Sequence, residues 1–135
     1  MDKNGLKGTI EMAPVAEKAQ TYDWNMKELM ERLGGDQEFL RELLVIFQQT
    51  APENLLKSRE ALASGDFPGL THAAHTLKGM LKNLAMGAAG QTAAALEAAS
   101  REKSMEESKQ QLEQLSGELQ GLFLAVEARL AEVKS

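Results

Sequence analysis

The chain's only two histidines stand three residues apart, at His72 and His75, and are followed by Lys78, Gly79 and Lys82. An imidazole with the ordinary pKa of about 6.5 is largely unprotonated near neutral pH, and its free ring nitrogen can attack phosphorus. The resulting N-phosphoryl group is dianionic or nearly so, and a lysine three residues further along a helix is within reach to pair with it. Relative to His75, Lys78 holds that position. A glycine inside a helix costs about 1 kcal/mol against alanine, so Gly79 beside the histidine implies that another surface must come close there. The His72/His75 pair has helical spacing for a transition metal, but there is no third histidine and no cysteine. Catalytic zinc takes three protein ligands, so no metal is expected. No Ser/His/Asp arrangement, phosphate-cradling glycine loop or paired-carboxylate site is recognisable, and an independent enzyme is not expected.

The helix that must carry these residues is defined by Leu70, Ala74, Leu77, Leu81 and Leu84, spaced four, three, four and three. At about 100° per residue these five fall within about 40° of their mean direction and form a buried stripe. On the same wheel His75 lies at about 140°, Gly79 at about 180°, Lys82 near 120°, Lys78 near 80° and His72 near 200°. The imidazole therefore faces solvent, with lysines on its flank one and two turns further on.

Around this helix the sequence predicts others. Residues 1–20 mix Gly5, Gly8, Pro14 and charges without a sustained period and suit a flexible leader or linker. From Asp23 a short amphipathic segment carries Met26, Leu29, Met30 and Leu33, stopped by Gly34-Gly35, with Trp24 expected to pack over the bundle end. Asp36 is placed to cap a helix bearing Phe39, Leu40, Leu43, Leu44 and Phe47 and running to about Gln49. Thr50-Ala51-Pro52-Glu53 has a capping-box pattern, so a kink or restart is expected before a third segment that ends at Ser64-Gly65. Asp66 caps the histidine-bearing helix, which is expected to run to about Ala85. An alanine-rich stretch to Arg101 follows, and its small side chains allow close helix packing. Ser104 with Glu107 opens a long final helix with the stripe Leu112, Leu115, Leu119, Leu122, Val126, Leu130 and Val133. Gly117 and Gly121 inside it have no evident purpose.

Twenty leucines and 19 alanines far outnumber the 12 Val, Ile and Thr residues, and no segment alternates with period two. The fold class is all-α: an antiparallel up-and-down four-helix bundle with an additional short N-terminal helix across one end. A chain of 135 residues that is 43% hydrophobic supports one domain, here 21–135. Zero cysteines exclude thiol chemistry and suit a reducing compartment. No apolar run reaches the length of a membrane span, and no secretion signal opens the chain. A net charge of -5 disfavours nucleic acid and anionic membrane as partners. A cytoplasmic protein with protein partners is expected.

The run Ala74-His75-Thr76-Leu77-Lys78-Gly79, with Asn83-Leu84 and then Leu96-Glu97, resembles the histidine phosphotransfer family. The resemblance extends upstream through Leu33-Gly34-Gly35-Asp36, Phe39 to Leu44, Ala51-Pro52-Glu53 and Leu62 to Asp66, covering roughly residues 22 to 103. It implies a helical bundle that carries a phosphoryl group on His75 between the aspartates of two receiver domains in two-component signalling. Lys78 would stabilise that group, and Gly79, Lys82 and Met86 would form the partner-docking face. The implied partners are response-regulator receiver domains and a hybrid sensor histidine kinase, and a monomer is expected. No cofactor belongs to the chain itself, Mg²⁺ being supplied by the receiver. Two positions depart from the family's pattern of small residues: Lys82, which bears on partner identity, and Ala85, which is expected to favour continuation of the helix. The alternative function is a non-phosphorylated helical adaptor that docks receiver or kinase domains, and only the carrier needs the imidazole.

Overall fold

The structure is a computed structural model that describes residues 24–134, with side chains to residue 132. Residues 1–20, expected as a leader, and the side chain of Val133, expected in the last stripe, lie outside the described part. Five helices follow in order: α1 (Met26–Arg32), α2 (Gln37–Ser64), α3 (Phe67–Asn83), α4 (Gly87–Arg101) and α5 (Met105–Lys134). Helix α3 packs between α2 and α4, and α5 closes the ring by packing on both α4 and α2. Connections of two to three residues between long helices force antiparallel neighbours, which makes the up-and-down bundle.

The starts of these helices are written in short polar side chains. Asp36 accepts from the Phe39 amide at 3.0 Å, Asp66 from the Gly69 amide at 3.0 Å and Ser104 from the Glu107 amide at 3.3 Å. Each satisfies an amide that the first helical turn leaves without a backbone partner. Burial then fixes rotation: Leu70, Ala74, Leu77 and Leu81 of α3 are fully enclosed, and Leu84 beyond its end nearly so.

Helix α2 corrects the expected restart at Thr50 to Glu53. It runs unbroken for 28 residues with Pro52 inside it. An interior proline costs about 3 kcal/mol. Here the buried face continues across it in a single register, through Leu40, Leu44, Phe47, Ala51, Leu55, Ser58 and Ala61. Enclosing that continuous face outweighs one missing hydrogen bond, since each fully buried leucine contributes about 1.5–3 kcal/mol.

The α3–α4 connection departs from expectation twice. Helix α3 stops at Asn83 rather than continuing, because Ala85 takes a left-handed conformation with φ of 61°. The Met86 amide bonds back to the Leu81 carbonyl at 2.9 Å and the Ala85 amide to the Lys82 carbonyl at 3.1 Å. Those two bonds form the paired termination that usually uses glycine. Met86 is fully buried, joins the core and bridges to Trp24, so its side chain is not available to a docking face as was expected. The N-terminal residues clasp this connection. Trp24 Nε1 donates to the Leu84 carbonyl at 2.9 Å, and Arg32 Nη1 donates to the Lys82 and Asn83 carbonyls at 3.0 Å. Helix α1 thus lies across one end of the bundle and satisfies the last carbonyls of α3.

Candidate functional site

With its inner stripe enclosed, α3 turns His75 outward, and the imidazole side chain is 62% exposed. Across the seam α4 presents Ala89, Gly90 and Ala93, all buried, so the two helices approach closely. Close approach lets a short acidic side chain cross between them. Glu97, the single acid of α4, is almost completely enclosed, and both its oxygens are taken. Its Oε2 lies 3.1 Å from His75 Nδ1 and 2.7 Å from Arg101 Nη2, while Oε1 lies 2.8 Å from Lys78 Nζ. One turn toward the start of α3 the Thr71 and Ser100 hydroxyls meet at 2.6 Å, and Ser100 Oγ donates to the Glu97 carbonyl at 2.8 Å. These contacts tie the backbone that carries Glu97 to the helix that carries His75.

Burial pushes the Glu97 carboxyl up, but hydrogen bonds from Lys78 and His75 and the charges of Lys78 and Arg101 outweigh it, leaving it below the ordinary carboxylate range. Glu97 is therefore ionised at neutral pH. A carboxylate can only accept, so the bond to His75 requires a proton on Nδ1, and in the neutral ring Nε2 is then the nitrogen that carries the free lone pair. The arrangement is an exposed imidazole held by its Nδ1, with two cations beside it on one buried anion.

The remaining expected residues fall as follows. Lys78 is on the cluster, with its side chain 27% exposed. Gly79 is exposed, and a Cβ built on it would meet nothing within 4 Å. Lys82 is exposed but lays its stem against α4, where a Cβ on Gly90 would come within 3.1 Å of Lys82 Cγ. His72 is exposed one turn before His75 and belongs to no group of three metal-ligating side chains among the described residues. Reasoning from sequence did not assign roles to Glu97 and Arg101. The available signal was a lone acid in phase with Ala89 and Ala93, on the face that packs inward.

The site is thus one exposed, oriented imidazole on the surface of an all-α bundle, beside a lysine and an arginine that share its buried carboxylate. The family model of the Hpt domain matches residues 42–131, most of the chain, and the chain belongs to that family. No curated protein and no solved structure matches the chain. Membership assigns the chain to histidine phosphotransfer in phosphorelays, in which such domains work with receiver domains of response regulators. No helix among the described residues is long and apolar enough to cross a membrane.

Proposed function

We propose that the protein is a phosphorelay carrier in which His75 Nε2 accepts a phosphoryl group from the aspartyl phosphate of one receiver domain and passes it to the aspartate of another. The observation that carries this is the orientation of the imidazole: Nδ1 donates to the ionised, buried Glu97 at 3.1 Å while the ring itself stays exposed. In the forward step the Nε2 lone pair forms a bond to phosphorus, the bond from phosphorus to the aspartyl oxygen breaks, and that oxygen leaves as a carboxylate. No proton need move. The ring becomes positively charged with its Nδ1 proton retained, and Glu97 faces that new charge. Transfer onward reverses these changes on a second aspartate.

Lys78 is the cation that the same helix supplies for the phosphoryl oxygens, three residues after His75. Its ammonium has three donors, so one can remain on Glu97 while another turns outward. Gly79 leaves room for the receiver surface, and Lys82, two turns from His75, favours receivers with a carboxylate opposite it. The test is incubation of the purified protein with a panel of phosphorylated receivers, followed by gel detection of acid-labile label. His75→Gln should abolish labelling and His72→Ala should keep it. Labelling that survives His75→Gln overturns the assignment, and a wild-type protein that binds receivers without taking label favours the adaptor.

A further inference from the structure

The cation that the proposed transfer does not yet use is Arg101. Its guanidinium contacts the same Glu97 oxygen as the imidazole, so contacts of 2.7 and 3.1 Å on one atom hold Arg101 Nη2 within 5.8 Å of His75 Nδ1. Arg101 has no partner other than Glu97 among the described residues, and its side chain is 65% exposed. A guanidinium has five N–H donors, most of which here point to water. Charge makes the same argument. Lys78 alone neutralises Glu97, so the second cation leaves the cluster with a surplus positive charge beside an exposed nucleophile, in a chain of net charge -5. Lys78 already compensates the enclosed carboxylate, so neutralising Glu97 does not by itself account for a second, 65% exposed cation on it.

We propose that Arg101 binds the phosphoryl group on His75, working from the α4 side while Lys78 works from α3. This rests on the phosphorelay reading above. The planar guanidinium keeps one N–H on Glu97 and offers others to the phosphoryl oxygens, a two-pronged geometry that suits phosphate. Because the contact exists only after transfer, it stabilises phosphohistidine relative to aspartyl phosphate and shifts the equilibrium toward the carrier. It has no counterpart in the unmodified protein.

The experiment measures the equilibrium division of label between this protein and one receiver, for the wild type, Arg101→Gln and Arg101→Lys. The expected result is a fall of about fivefold in the ratio of phosphohistidine to aspartyl phosphate for Arg101→Gln, the upper end for one exposed charged contact. A smaller fall is expected for Arg101→Lys, which keeps the charge and loses the fork. Both falls should shrink as salt rises. An Arg101→Gln protein that folds and divides label as the wild type does overturns the proposal. A second measurement uses the wild type alone. On phosphorylation the guanidinium N–H resonances of Arg101 should shift and exchange more slowly with water, and unchanged resonances would equally overturn it. A wild type that takes no label from any receiver refutes the underlying phosphorelay reading instead, so the two failures are distinguishable.

Discussion

The α3–α4 seam and the α2–α5 seam of this bundle use opposite materials. Between α3 and α4, Ala89, Gly90 and Ala93 bring two backbones close, and the space saved holds a buried carboxylate with three cationic or titratable partners. Between α2 and α5, Phe47 and Phe123 meet with ring centroids 5.5 Å apart at 51°. Leu115, Leu119, Leu122 and Val126 of α5 are fully buried. Large side chains stabilise by removing area from water. Small ones allow a short acidic side chain to reach a neighbouring helix in a fixed geometry. Large side chains therefore pack α2 against α5 while the charged cluster sits between α3 and α4, and the two seams should respond separately to mutation.

The largest effect should come from Phe47→Ala, which removes the largest fully enclosed side chain. The expected loss is about 3–5 kcal/mol, read from urea unfolding. Below the unfolding transition this variant should take label on His75 at the wild-type rate. A slowed transfer in the still-folded protein would break the proposed separation and would mean that the α2–α5 packing sets the α3–α4 geometry.

Glu97→Gln should act in the other half, with a smaller cost of about 1–2 kcal/mol, because its partners are partly exposed and can turn to water once the charge is gone. The pH dependence separates it from Phe47→Ala. Lys78, His75 and Arg101 outweigh burial and hold the folded carboxyl below the ordinary value of 4.5, so the unfolded chain binds more protons as pH falls. The stabilisation from the charge is fully present above the unfolded value and is lost as pH drops through the lower folded one. The stability gap between the wild type and Glu97→Gln should close as pH falls below about 4.5. The gap for Phe47→Ala should not change over that range. A Glu97 gap with no pH dependence would mean that shape rather than charge is what Gln fails to supply.

What could be seen in the sequence divides along similar lines. The caps at Asp36, Asp66 and Ser104, the enclosed α3 stripe and the outward position of His75 all depend on a single helix and its period, and period is visible in one dimension. The contacts of Glu97 depend on how far apart α3 and α4 sit and in what register, which no single-helix wheel contains. The alanines indicated a close approach without indicating what would cross it. Local chemistry misled at Pro52, where a buried face continuing on both sides overrode a strong terminating residue, and at Ala85, where the need to turn outweighed alanine's preference for a helix. Met86 lay just past the motif and was grouped with it by position, whereas the turn at Ala85 points it into the core. Gly117 is exposed in α5 with open space beside it, and nothing in the structure explains it.

The smallest effect should be the most telling for the site. Two glycines lie near the histidine, Gly79 on the outer face of α3 and Gly90 in the seam between α3 and α4, and only one has a packing reason. A Cβ on Gly90 would come within 3.1 Å of Lys82 Cγ, whereas a Cβ on Gly79 would meet nothing within 4 Å. Inside this molecule Gly79 is only a cost, about 1 kcal/mol against alanine in mid-helix. Gly79→Ala should therefore stabilise the protein by about that amount, with a higher midpoint in urea. Position 79 is four residues from His75, on the adjacent turn and about 6 Å away, so the added methyl stands where a receiver would press to bring its aspartyl phosphate to Nε2. Transfer from receivers should slow while phosphorylation of His75 by a small donor such as phosphoramidate stays at the wild-type rate, because a small donor needs no flat approach over position 79. A variant that is stabilised and equally fast with both donors would show that receivers do not pass over Gly79. Equal slowing with both would mean instead that the methyl disturbs the imidazole itself, and the site's geometry would then depend on the outer face of α3 as well as on the seam with α4.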